Sequence, residues 1–155
     1  MSSDEEAFRR LLTELRLLES TAEALQNRIN LVNAAMTELA FSSATIEGLE
    51  KENKGAPLLV PIGGGSFIKA EAATTETMVV GMGAGVSVEK SREEAKQIVE
   101  KRIAELEKSR NTLQQQLSQV IEQMRAKRQE LDEISLRLSS RRQAIEDVRK
   151  TKSGT

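Results

Sequence analysis

Two apolar, glycine-containing stretches in the middle of the chain decide its fold: LLVPIGGGSFIKAE at Leu58–Glu71 and TMVVGMGAGVSVEK at Thr77–Lys90. In each, two short runs of apolar and β-branched residues are separated by a glycine cluster, which is the pattern of a β-hairpin. The link between them, Ala73–Glu76, is polar apart from its first residue. We therefore predict two hairpins built from four strands of about five residues, the usual strand length.

The segments on either side of the hairpins have a different composition. Only four residues from Lys54 to Val88 are charged, and this stretch contains both prolines and seven of the nine glycines. The flanks carry most of the charge and very little glycine or proline, which is typical of long helices. We expect an N-terminal helix over 3–54, a two-hairpin module over 55–90, a C-terminal helix over 91–150 and a disordered tail over 151–155.

Both flanks show apolar residues at alternating steps of three and four, the 3.5-residue repeat of a coiled coil. A Ser-x-x-Glu capping box opens each flank, at Ser3 and at Ser91. The first repeat consists of Phe8, Leu11, Leu15, Leu18, Ala22, Leu25, Ile29, Val32, Met36 and Leu39, and resumes at Ile46. The second consists of Val99, Ile103, Leu106, Arg110, Leu113, Leu117, Val120, Met124, Lys127, Leu131, Ile134, Leu138, Arg141, Ile145 and Val148.

Because hairpins reverse the chain, the two helices are predicted to pair in antiparallel orientation. A register in which apolar repeat positions meet places Leu25 opposite Val120 and Phe8 opposite Leu138. In this register Arg141, Ile145 and Val148 extend beyond any well-ordered partner. The predicted fold class is mainly α with a small β module: a long antiparallel two-helix coiled coil joined by two β-hairpins.

Three side chains in this arrangement need a separate explanation. Lys127 is expected to face Leu18 and Arg110 to face Met36, with their aliphatic stems on the apolar partner and their charged groups in water. Phe41 lies off the repeat and is expected to pack against the hairpin module or a neighbouring subunit.

Two short hairpins cannot cover their own apolar faces, and their open edges favour pairing with another chain. We therefore predict that the hairpins form an oligomerisation module. The residues expected to contact other chains are Leu58, Leu59, Val60, Ile62, Phe67, Ile68, Met78, Val79, Val80, Met82, Val86 and Val88.

The composition argues against catalysis. The chain has no His and no Cys, so it lacks the commonest general base and every thiolate nucleophile or ligand. The glycine clusters lack the spacing of phosphate-binding loops, and hairpin turns explain them. The acidic N-terminus and the absence of a long apolar run favour a cytoplasmic protein without membrane contact. We expect no catalytic residue, no metal site and no cofactor.

The basic residues near the C-terminus suggest either an acidic or nucleic-acid partner or an ordinary helix end, where cations are common. They are Arg141, Arg142, Arg149, Lys150 and Lys152. The net charge of −1 is not that of a polyanion-binding protein, and we expect no nucleic-acid partner.

The hairpin stretches, most strongly Leu58–Lys90, resemble the alpha subunit of archaeal prefoldin, whose beta class has one hairpin between its helices. The resemblance implies a hexamer of two alpha and four beta subunits with a β-barrel body. It also implies an ATP-independent holdase that captures unfolded proteins at coiled-coil tips and delivers them to a group II chaperonin.

The helix ends provide the predicted client-binding tips: Phe8, Leu11, Leu12, Leu15, Ile145 and Val148. Apolar residues near fraying helix ends offer many weak contacts to exposed apolar segments. The alternative function is a structural coiled-coil spacer or adaptor that assembles through its hairpins.

Overall fold

A computed structural model describes residues 2–154 and contains two helices and four strands. The elements are α1 (Ser3–Glu50), β1 (Pro57–Gly63), β2 (Ser66–Glu71), β3 (Thr77–Gly83), β4 (Val86–Ser91) and α2 (Arg92–Ser153). The helix–hairpin–hairpin–helix order is therefore confirmed. Two boundaries differ from the prediction: α1 ends at Glu50 instead of residue 54, and α2 continues through Ser153 where a disordered tail was expected. Thr155 lies outside the described residues.

The helix starts follow from local hydrogen bonding. Ser91 and Glu94 form the predicted capping box, since each backbone N–H donates to the other's side chain at 3.2 Å. The box predicted at Ser3 is wrong by one residue. The N–H of Ser2 donates to Glu5 Oε2 at 3.2 Å, and the N–H of Glu5 donates to Ser2 Oγ at 3.3 Å. The sequence offers a Ser-x-x-Glu pattern at both registers, and the earlier one adds a residue to α1.

The chain divides into two compact units, of which the first comprises residues up to 30 and from 111 onward. Within it α1 and α2 are antiparallel, because Asp4 near the start of α1 pairs with Arg137, whereas Glu14 and Glu19, farther along α1, pair with residues earlier in α2. Phe8 and Leu138, predicted to face each other, line one cavity of about 430 Å³. The ion pairs are Asp4–Arg137 at 3.4 Å, Glu14–Lys127 at 2.6 Å and Glu19–Arg128 at 3.4 Å.

The second unit comprises residues 31–110 and contains both hairpins. Its core is a cluster of Ile46, Ala95 and Val99, all buried. Four half-buried apolar residues pack against this cluster: Leu39, Met78, Val80 and Ile103. The core of this unit therefore joins the end of α1, the start of α2 and strand β3.

Burial follows the predicted 3.5-residue repeat along most of both helices. All repeat positions from Phe8 to Ile46, and from Val99 to Leu138, are buried or half-buried. Residues 139–154 are all exposed, including the last repeat positions. The 3.5-residue spacing thus marks the covered side of each helix up to Leu138.

Each hairpin is a separate two-stranded antiparallel sheet. Strand β1 pairs with β2 from Pro57 opposite Glu71 to the turn, and β3 pairs with β4 from Thr77 opposite Ser91. In both, the register shifts at the same place, just before the turn. The two hairpins therefore have the same backbone plan, although they differ in surroundings.

Candidate functional site at the hairpins and the helix ends

The first hairpin, β1 with β2, is exposed on both faces. All β1 residues are exposed, and in β2 only Ala70 is half-buried. Because side chains alternate across a strand, Val60 and its partner Ile68 lie on one face while Leu59 lies on the other. A two-sided apolar surface of this kind marks an interaction site. Its exposed apolar residues are Leu58, Leu59, Val60, Ile62, Phe67 and Ile68.

The base of the first hairpin holds it to the rest of its unit. Ala72 and Thr75 are buried there. The Gly55 N–H donates to the Ala72 carbonyl at 2.7 Å, and the Thr75 hydroxyl donates to the Glu52 carbonyl at 3.3 Å. The hairpin is therefore anchored at its base, while its strands present their side chains to solvent.

The second hairpin, β3 with β4, lies against the helices of its unit. Met78 and Val80, which were predicted to contact other chains, pack on the apolar cluster of their own chain. The guanidinium of Arg102 donates to the Gly81 carbonyl at 2.7 Å, and that of Arg92 donates to the Thr75 carbonyl at 2.8 Å. Val79, on the opposite face, is 73 % exposed, and Met82, Val86 and Val88 are exposed as well.

Phe41 lies in an apolar groove of about 450 Å³ in the second unit, together with residues of β3. Its ring is 71 % exposed, so the chain does not bury it by itself. The groove brings Phe41 beside β3, and its packing against the hairpin module or a neighbouring subunit stays a prediction. The groove lining includes Leu39, Thr45, Ile46, Leu49, Met78, Val79, Val80 and Val99.

The helix ends carry the predicted tip residues in three different environments. Leu11 and Leu15 are 1 % and 6 % exposed, so they hold the helices together and do not form the open surface we expected. Phe8 and Leu12 are half-buried. Ile145 and Val148 are 52 % and 54 % exposed, within the segment of α2 that no other element covers. We call residues 139–154 the α2 end.

The basic residues Lys127 and Arg110 stand at repeat positions of α2 and differ in their polar contacts. The Lys127 ammonium forms an ion pair with Glu14, and its hydrogen bond to that carboxylate is the main cause that lowers the pKa of Glu14. The Nε atom of Arg110 is buried without a hydrogen-bond partner among the described residues. Both side chains place polar groups in or beside the apolar seam, and such groups favour one register.

No group of three or more acidic, His or Cys side chains within residues 2–154 is positioned to hold a metal ion. In the same part of the chain, neither helix has a stretch apolar enough to cross a membrane.

Sequence reasoning missed two residues that position the second hairpin, Arg92 and Arg102. Both look like ordinary surface arginines of a charged helix, and only the fold brings Arg102 to β3 and Arg92 to the link that precedes it. One local signal was available for the packing itself. Met78 and Val80 alternate with Val79, and this period of two predicts that one face is covered and the other open.

Comparisons with known proteins agree with this architecture. A family profile described as Prefoldin subunit matches residues 18–137. The chain is 33 % identical to the Prefoldin subunit alpha of Pyrococcus horikoshii, over 70 % of this chain and 74 % of the relative. It is 33 % identical to the Prefoldin subunit alpha 1 of Thermococcus kodakarensis, over 68 % of this chain and 72 % of the relative. It also resembles a chain in the cryo-EM structure of filamentous PFD from Methanocaldococcus jannaschii, with a TM-score of 0.64 and 26 % identity, over 72 % of this chain and 93 % of that one.

Proposed function

The chain belongs to the prefoldin family and is a prefoldin chaperone subunit, and we propose that it is an alpha-class subunit that holds unfolded proteins without ATP. The observation that carries the holdase proposal is the α2 end. There Ile145 and Val148 continue the apolar repeat beyond the part of the seam that α1 covers. An apolar stripe of this kind binds exposed apolar segments of other chains by burying shared surface.

The proposed assembly is a hexamer of two alpha and four beta subunits joined through the hairpins. The two exposed faces of the first hairpin support it, together with the open face of the second around Val79. Several weakly binding helix ends carried by one body then act together through a high effective concentration. Delivery of clients to a group II chaperonin, a cytoplasmic location and the absence of enzymatic activity belong to the same proposal.

A second candidate is a structural role as an extended assembly. The similar chain from Methanocaldococcus jannaschii belongs to a cryo-EM structure of filamentous PFD. The exposed hairpins of the present chain suit an open-ended assembly as well as a closed one. Light scattering with and without a prefoldin beta subunit separates the two: a single defined mass supports the hexamer, and a mass that grows with concentration supports the filament.

Suppression of client aggregation tests the holdase function. The purified chain, assembled with a beta subunit, is added in near-stoichiometric amounts to an unrelated protein diluted from denaturant. We expect scattering to fall, and the double variant Ile145→Ser with Val148→Ser to lose part of that effect because it removes the open apolar surface.

A matched control replaces apolar residues elsewhere that are at least as exposed. Leu17 and Leu31 are 69 % and 72 % exposed on α1. Leu17→Ser with Leu31→Ser should leave aggregation suppression unchanged. Equal activity of wild type and the Ile145/Val148 variant would place client binding elsewhere, and no suppression by the wild-type assembly would favour the structural role.

A further inference from the structure

The α2 end is basic as well as apolar. It carries five basic and two acidic side chains, hence a net charge of +3, in a chain whose total is −1. The basic residues are Arg141, Arg142, Arg149, Lys150 and Lys152.

The positive charge is concentrated beside the apolar stripe. Ala144, Ile145 and Val148 form the apolar floor of a shallow groove of about 390 Å³. Its remaining lining residues are Arg141, Arg149 and Lys152. The two acidic residues of this segment do not line the groove.

Three acidic groups of this unit have partners other than the cations that line the groove. Asp147 Oδ1 accepts a hydrogen bond from Gln143 Nε2 at 3.2 Å. At the start of α1, Asp4 forms an ion pair with Arg137, and Glu5 accepts a hydrogen bond from the Ser2 N–H. None of these three carboxylates forms an ion pair with Arg141 or Arg149.

The helix dipole does not account for this placement. Cations in the last turn of a helix offset the partial negative charge there, which explains Lys150 and Lys152. Arg141 lies about three turns earlier, beyond the range of that effect. Neither Arg141 nor Arg149 forms an ion pair within the described residues.

We propose that the α2 end selects unfolded segments in which apolar residues are flanked by aspartate or glutamate. The inference rests on the proposed holdase function and adds a substrate class to it. The apolar stripe around Ile145 buries the apolar centre of the segment. Arg141 and Arg149 attract its acidic flanks, because complementary charges at the edge of an apolar contact add selectivity and speed encounter.

Fluorescence anisotropy with three labelled peptides tests the proposal on the full chain. The peptides share one apolar centre and differ in flanks of aspartate, serine or lysine. At about 50 mM salt we expect the aspartate peptide to bind about fivefold more tightly than the serine peptide, and the lysine peptide most weakly. At about 500 mM salt the three affinities should converge, because screening weakens exposed charge pairs.

A pair of variants with the same charge change locates the effect. Arg141→Gln with Arg149→Gln removes two charges from the groove and should abolish the preference for the aspartate peptide. Arg142→Gln with Lys150→Gln removes two charges that do not line the groove and should retain the preference. The proposal would be overturned if both variants lost the preference for the aspartate peptide equally, or if neither variant lost it.

The outcomes also separate this inference from the holdase function. Equal binding of the three peptides by the wild-type chain would overturn the charge selectivity and leave the holdase function standing. If the wild-type chain bound none of the three peptides, both the charge selectivity and the holdase function would be contradicted. The remaining outcome is that the double variant Ile145→Ser with Val148→Ser binds the aspartate peptide as tightly as the wild-type chain does. That result would show recognition by charge alone, as for an acidic folded partner, and would contradict the proposed substrate class.

Discussion

The two hairpins share one backbone plan and differ in what covers them. Both have seven- and six-residue strands and a register shift just before the turn. Yet Met78 and Val80 of the second pack on the core of their unit, whereas the corresponding Leu58 and Val60 of the first face solvent. The hairpin pattern in the sequence therefore predicts the strands, whereas contacts with the helices determine which hairpin is left exposed for another chain to cover.

The largest expected effect comes from charging the exposed hairpin. Val60→Glu with Ile68→Lys places opposite charges on a cross-strand pair, so the hairpin itself should persist. Assembly with a beta subunit should weaken by about 3 kcal/mol or more, because the charges must be desolvated in the interface. Light scattering should show loss of the assembly mass while circular dichroism shows intact helices. An unchanged assembly mass would show that the first hairpin does not lie in the interface with the beta subunit.

A smaller effect distinguishes the hairpins within the isolated chain. Val80→Asp should lower the free energy of unfolding by about 2 kcal/mol, because it places a charge against the apolar cluster. Val60→Asp at the equivalent exposed position should cost less than about 0.5 kcal/mol. Urea unfolding followed by helical circular dichroism, at a concentration where the chain is monomeric, measures both. Equal costs would show that the two hairpins are held alike.

The turns provide a finer test, since Gly64 and Ala84 occupy equivalent positions with φ of 59° and 51°. A side chain in this left-handed region is disfavoured by about 1 kcal/mol. Gly64→Ala should therefore destabilise the first hairpin by about that amount. Ala84→Gly should stabilise the second by a few tenths of a kcal/mol, because flexibility of the unfolded chain offsets part of the gain. Hydrogen exchange of the strand amides measures both, and changes of the opposite sign would refute the turn assignment.

The smallest expected effect concerns the pH dependence of unfolding, which arises in the helical seam and does not involve the hairpins. The pKa of Glu14 is lowered from 4.5, mainly by the hydrogen bond from Lys127. A lowered folded-state pKa contributes stability that is present above 4.5 and lost as the pH falls through the folded-state value. Glu14→Gln should remove this part of the acid dependence of urea unfolding. Identical pH profiles of wild type and variant would contradict the coupling.

The periodic parts of the fold were predictable because local patterns determine them. The 3.5-residue repeat identified the buried side of both helices, and the glycine clusters identified the turns. The predictions failed where two local patterns compete or where the outcome depends on contacts between residues far apart in sequence. Ser2 and Ser3 offer equivalent capping boxes, and the pattern alone does not choose between them. The helix end at Glu50 depends on tighter turns, in which Lys51 and Glu52 donate to carbonyls three residues earlier.

The candidate surfaces were predictable in outline, and tertiary packing decided the details. Exposure of Ile145 and Val148 follows from the register, since Leu138 already lies beside Phe8 in the first two turns of α1. Leu11 and Leu15 belong to the same repeat but meet α2, so the pattern alone did not distinguish seam from surface. The docking of β3 through Arg102 depends on residues far apart in sequence.

Hydrogen–deuterium exchange of the two hairpins, with and without a prefoldin beta subunit, tests whether the first hairpin depends on another chain for its stability while the second does not. In the monomeric chain the amides of β1 and β2 should exchange rapidly, because a hairpin without a covered face is only marginally stable. On addition of the beta subunit their exchange should slow by about 100-fold, while amides of β3 that pair with β4 should be protected in both states. Strong protection of β1 and β2 in the monomer, or unchanged rapid exchange in the assembly, would contradict the account.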